Sequence, residues 1–92
     1  MNTLKDLYQT LETRKSADPK TSYTAHLLQT GEDEIVKKIG EEAIEIILAA
    51  KGQGEQRLVE EISDLTYHIL VLLVQKGIPL RDISDELNKR KK

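Results

Sequence analysis

The sequence predicts an all-α domain of four to five helices. Apolar residues recur at spacings of three and four almost from end to end, and no segment alternates apolar with polar as a half-buried strand would. Gly40 apart, glycine and proline fall only at points that cut the chain into pieces of helical length.

Leu4, Leu7, Tyr8 and Leu11 predict a short first helix, with Asn2 or Thr3 as its cap. Ser16 to Ser22, with Pro19 inside it, reads as a loop. Ser22 or Thr24 caps a second short helix through Leu27 and Leu28, ended by Gly31. A third helix is predicted from about Glu32 to Lys51. Its main apolar stripe is Ile35, Val36, Ile39, Ala43, Ile46, Ile47 and Ala50, and Ile44 and Leu48 lie off it. That end of the helix is apolar almost all round, which means burial on more than one side. Gly40 carries a cost in helix propensity and leaves room for another helix or a ligand to approach. Gly52 and Gly54 make the turn.

The fourth helix is predicted from about Glu55 to Lys76. Its core stripe is Leu58, Ile62, Leu65, Ile69, Leu72 and Leu73, with a second apolar face in Tyr67, Val71 and Val74. Gly77 stops it. Pro79 suits the first turn of a last helix that turns Leu80, Ile83 and Leu87 inward and ends in Lys89-Arg90-Lys91-Lys92. The two long helices, each roughly 30 Å, form an antiparallel spine.

Ninety-two residues make one domain, residues 1–92, and a core this small favours an oligomer that extends it. Net charge is −2, without the basic excess of a nucleic-acid binder. With no cysteine, disulfides and thiolate metal sites are excluded. The N-terminus has charges where a signal peptide needs an apolar run, and Ile69 to Val74 is too short to cross a membrane, so a cytoplasmic protein is expected. There is no Phe or Trp and only three Tyr, so a nucleotide ligand would be held mainly by its phosphates.

Two carboxylate pairs at i,i+3 spacing carry the chemistry: Glu42 with Glu45, and Glu61 with Asp64. Lys38, Glu42, Glu45 and Ala49 share one strip beside the apolar stripe of the third helix. Arg57, Glu61, Asp64 and His68 share the equivalent strip of the fourth. Side chains at i and i+3 sit about 5–6 Å apart at Cβ, so both can reach one ion. An oxygen-only set completed by water suits Mg²⁺. The same spacings also serve ordinary ion pairs, Lys38 with Glu42 and Arg57 with Glu61. Against that bland reading, the acids border the core, where packing desolvates them and leaves their repulsion uncompensated unless a cation is present. Glu41 lies further round the helix, either as a solvated acid or as a base that orients water. Lys37 and Lys38 are surface ion-pair residues or neutralise phosphate charge. His68 is a boundary histidine or a group that orients the carboxylates. His26 reads as a surface residue, and Tyr23 and Tyr67 as core fillers with a satisfied hydroxyl.

Taken together, Ser22-Tyr23-Thr24, Leu27-Leu28, Gly31, the run Lys37-Lys38-Ile39-Gly40-Glu41-Glu42-Ala43-Ile44-Glu45, and the run Glu61-Ile62-Ser63-Asp64-Leu65-Thr66-Tyr67-His68 resemble the phosphoribosyl-ATP pyrophosphatase family. That family belongs to the all-α nucleotide pyrophosphohydrolases, with the MazG-type and dimeric dUTPase-type enzymes. The likeness covers about Leu4 to Arg90; the acidic blocks alone indicate only the superfamily. It implies Mg²⁺-dependent hydrolysis of phosphoribosyl-ATP to phosphoribosyl-AMP and pyrophosphate in histidine biosynthesis, by a cytoplasmic homodimer whose helices share a core. It implies Glu42, Glu45, Glu61 and Asp64 as metal ligands and Glu41 as the adjoining acid; in such a reaction Lys37 or Lys38 is the candidate to neutralise the leaving pyrophosphate. Tyr23 and Thr24, with the preceding loop, are the candidates for the phosphoribosyl end. In some members the domain is fused to a cyclohydrolase; here it is expected alone. The alternatives are a pyrophosphohydrolase of ordinary or damaged nucleoside triphosphates, and a non-catalytic helical dimerisation module.

Overall fold

The computed structural model describes residues 2–91. They form α1 (Thr3–Thr13), a 3-10 turn (Arg14–Ser16), α2 (Tyr23–Thr30), α3 (Glu32–Gly52), α4 (Glu55–Lys76) and α5 (Leu80–Lys89), with no strand among the described residues. The chain is all-α, as expected. The Asn2 side chain accepts from the Lys5 amide and the Ser22 hydroxyl from the Ala25 amide, so each short helix begins on a polar cap. Pro79 lies just outside α5, in extended conformation, rather than within its first turn.

α3 and α4 run antiparallel. His68 near the middle of α4 meets Glu42 on α3, and Lys76 at the end of α4 pairs with Glu32 at the start of α3. Only Gln53 and Gly54 connect the two helices. Gly54 takes φ +87° and Gly77 takes φ +71°, the left-handed region in which a side chain is strained. Behind Gly77, the Ile78 amide donates to the Leu73 carbonyl and the Gly77 amide to the Val74 carbonyl, which closes the end of α4.

The core gathers Leu11 of α1, Leu27 of α2, Ile35 of α3, and Leu70, Val71, Leu73 and Val74 of α4. This revises the expected faces of α4. Val71 and Val74, expected on a secondary face, are almost fully buried, whereas Ile62 and Ile69 of the expected core stripe are 46% and 38% exposed. The reason is α1 and α2, which pack on the far half of α4 and claim the side turned toward them. On α3, Val36, Ile44, Ile47 and Leu48 are likewise exposed. In α5 only Leu80 packs against the core; Ile83 and Leu87, expected inward, face solvent. A Cβ placed at Gly40 meets nothing within 4 Å, so the close approach expected there does not occur within one chain. No described helix is long and apolar enough to cross a membrane.

Candidate functional site

The acidic strips of α3 and α4 face each other along one edge of the hairpin, as their place beside the apolar stripes predicts. Glu61 and His68 are 6% exposed, and Ala49 on the facing strip is 2% exposed. Glu42 and Glu45 are half-buried, and Asp64 is exposed.

Glu61 and Glu42 both have partners. Glu61 accepts from Arg57 Nη2 at 2.5 Å, while the other guanidinium nitrogen reaches Glu60 at 2.9 Å. Glu42 Oε1 accepts from His68 Nδ1 at 2.6 Å. The expected Arg57–Glu61 pair is therefore present. In place of a Lys38–Glu42 pair, Lys38 makes a long contact with Glu41 at 3.9 Å, while Glu42 bonds the imidazole through Oε1. Lys37 and Glu41 are exposed beside this edge.

Burial pushes the Glu42 carboxyl above its ordinary value of 4.5. His68 pulls it back down, and the negative charges of Asp64 and Glu61 push it up further. Glu42 thus lies within reach of the charges of two other expected ligands. Among the described residues, no three His, Cys, Asp or Glu side chains converge tightly enough to hold an ion, so the carboxylates face each other without forming a cage. Their chemistry nonetheless fits a hard divalent cation: the donors are all oxygen, and burial, helped by the charges of Asp64 and Glu61, raises the proton affinity of Glu42.

The helix α2 brings a second group of side chains to the same edge. Tyr23 Oη lies 3.0 Å from His68 Nε2, and the Thr24 hydroxyl bonds the Tyr67 hydroxyl. The rings of Tyr23 and Tyr67 lie nearly parallel with centroids 6.4 Å apart, and each meets the His68 ring edge-on. Thr24 is buried, whereas Tyr23 remains 49% exposed beside the acids. Burial, the neighbouring Tyr67 and then the carboxylates Glu42, Glu34 and Glu41 raise the Tyr23 phenol pKa. The expectation that Tyr23 and Tyr67 have satisfied hydroxyls holds, but Tyr23 is an edge residue and not a core filler. Helical spacing does not announce the link from Tyr23 to His68. The adjacent pairs Tyr23-Thr24 and Tyr67-His68 were the only signal for it, and their pairing depends on how α2 docks.

The fold and this edge define a class: a small all-α protein with a carboxylate-rich site between two antiparallel helices. Comparison with known proteins narrows it. Residues 4–91 match the family model described as phosphoribosyl-ATP pyrophosphohydrolase. The phosphoribosyl-ATP pyrophosphatase of Listeria innocua is 51% identical over 87 residues, covering 95% of this chain and 84% of that protein. That of Clostridium botulinum is 49% identical over 90 residues, covering 98% and 82%. That of Bacillus cereus is 48% identical over 89 residues, covering 97% and 83%. The chain belongs to the phosphoribosyl-ATP pyrophosphohydrolase family.

Proposed function

We propose that this chain hydrolyses phosphoribosyl-ATP between its α and β phosphates, giving phosphoribosyl-AMP and pyrophosphate, as a cytoplasmic enzyme of histidine biosynthesis. The observation that carries the reading is family membership over nearly the whole chain. The facing acidic strips supply a matching site.

Glu42, Glu45, Glu61 and Asp64 would hold Mg²⁺, which when bound offsets the charge of the triphosphate and of the departing pyrophosphate. The chain's own groups do the rest. Glu41, exposed beside this edge, accepts the proton of the attacking water. Lys37 and Lys38 lie one turn before the acids and attract the phosphates, and Lys38 Nζ lies 3.9 Å from Glu41. Tyr23, half-exposed at this edge, offers the face of its ring to the rest of the nucleotide, while its hydroxyl bonds His68. Thr24, buried against Tyr67, serves the substrate by holding that tyrosine in place. No protein nucleophile is required.

A homodimer accounts for the apolar side chains that one chain leaves exposed on α3 and α4, since a symmetric partner would cover both helices at once. The test is release of pyrophosphate from phosphoribosyl-ATP with and without Mg²⁺, alongside a panel of nucleoside triphosphates. Glu42→Ala and Asp64→Ala should each abolish turnover. Wild-type activity in either would remove that residue from the ligand set, and preference for an ordinary triphosphate would reassign the substrate.

A further inference from the structure

We propose that Tyr23 and His68 are positioning residues: the hydrogen-bond chain from the Tyr23 hydroxyl through both ring nitrogens of His68 aims the Glu42 carboxylate at a divalent cation. The inference rests on the reading above that Glu42 is a cation ligand.

The hydrogen bonds fix the tautomer of the neutral imidazole. Nδ1 of His68 faces two oxygens, Glu42 Oε1 at 2.6 Å and the backbone carbonyl of Asp64 at 3.0 Å. A carbonyl oxygen only accepts, so Nδ1 carries the proton. In the neutral ring Nε2 then has a lone pair, and the Tyr23 hydroxyl donates to it at 3.0 Å. Both nitrogens are satisfied and the ring is 6% exposed. The edge-on rings of Tyr67 and Tyr23, with centroids 5.0 and 5.9 Å away, stop it from turning.

A ring fixed this firmly fixes what it touches. A glutamate on a helix normally samples several rotamers, and holding it still costs conformational freedom. Here the imidazole engages Oε1 and thereby restricts the whole carboxylate. Oε2, together with the other lone pair of Oε1, is left for a ligand. A ligand held in place beforehand loses less freedom on binding. The Asp64 carbonyl ties the same ring to the backbone of a second expected ligand, so Glu42 on α3 and Asp64 on α4 are held in register through one side chain. Tyr23 contributes from α2, the only element of the three that carries none of the acids.

The experiment measures Mn²⁺ affinity of the full-length chain by calorimetry without substrate, with the melting temperature recorded for every variant. The amide nitrogen of asparagine takes the place of Nδ1, and that of glutamine takes the place of Nε2. His68→Asn therefore keeps the donor to Glu42, and His68→Gln loses it. His68→Gln should weaken Mn²⁺ binding by about 10- to 100-fold, the range for partners that orient metal ligands. His68→Asn should retain most of the affinity. Tyr23→Phe preserves the ring and should weaken binding in the same direction by a smaller factor, with KM for the metal-bound substrate moving less than the Mn²⁺ dissociation constant. Equal losses in His68→Asn and His68→Gln that follow the melting temperature would overturn the proposal in favour of a packing role. So would unchanged Mn²⁺ affinity in His68→Gln and Tyr23→Phe when Glu42→Gln abolishes binding. If Glu42→Gln itself leaves Mn²⁺ affinity intact, Glu42 is no ligand, and both the underlying assignment and this inference fall.

Discussion

Replacing Ile47 with glutamate separates folding of the chain from its association. Ile47 lies on the outer face of α3 and is 60% exposed in the single chain. Full burial of an isoleucine is worth about 1.5–3 kcal/mol, so covering the exposed part would contribute about 1–2 kcal/mol per chain. A two-fold interface uses the residue twice, which gives about 2–4 kcal/mol per dimer. Losing it should weaken association by about 30- to 1000-fold, before counting any carboxylate left desolvated across the interface. The fold of one chain should barely register the change, because an exposed helical site away from the core tolerates substitution within about 0.5 kcal/mol. Sedimentation velocity over a concentration series reads the dissociation constant directly. The reasoning is refuted if Ile47→Glu dimerises as tightly as wild type, or if wild type stays monomeric at every concentration.

Three further outcomes follow from the same geometry. Leu27 is fully buried at the centre of the core, so Leu27→Ala should destabilise the protein by about 2–5 kcal/mol in urea unfolding. Glu42 has a folded pKa raised above its ordinary 4.5, so its protonated form favours the folded state. Its contribution to stability is therefore complete below 4.5 and is lost as pH rises through the raised value. A cation competing with that proton should bind more tightly across the same window; calorimetry at several pH values would show this, and Glu42→Gln should remove that share of the slope. Arg57→Gln leaves the buried Glu61 without its counter-charge, so the rise in melting temperature on adding Mg²⁺ should exceed that of wild type.

Local signals gave much of the architecture. The limits of α4, Glu55 and Lys76, follow from Gly54 and Gly77 on either side of a long periodic run, and the caps Asn2 and Ser22 are residues that compete well for free amides. The acids were legible as an interhelical group because helical spacing alone places them beside the apolar stripe. Which apolar face becomes the core was not legible. α4 carries hydrophobic residues on two sides, and the choice between Ile62 or Ile69 and Val71 or Val74 depends on where α1 and α2 dock, a non-local outcome. The inward turn expected of Ile83 and Leu87 failed for a related reason: periodicity shows that a helix is amphipathic, not what it packs against. At the site, i,i+4 spacing offers Lys38 to Glu42 as an ordinary ion pair. Lys38 instead contacts Glu41, and helical spacing contains no information about the tertiary bond that Glu42 makes with His68.

The two-residue connection between α3 and α4 bears on how the molecule comes to exist in time. The largest helix–helix contact of the fold joins segments that are neighbours in sequence, so closing it requires little loop entropy. Proteins rich in such contacts fold on microsecond-to-millisecond timescales. The hairpin can therefore bring Glu42 opposite His68 early, before α5 docks and before any second copy arrives. For a homodimer, the slow event would then be a bimolecular encounter between hairpins already formed, and recovery of activity after dilution from denaturant would depend on protein concentration rather than on the chain's own folding.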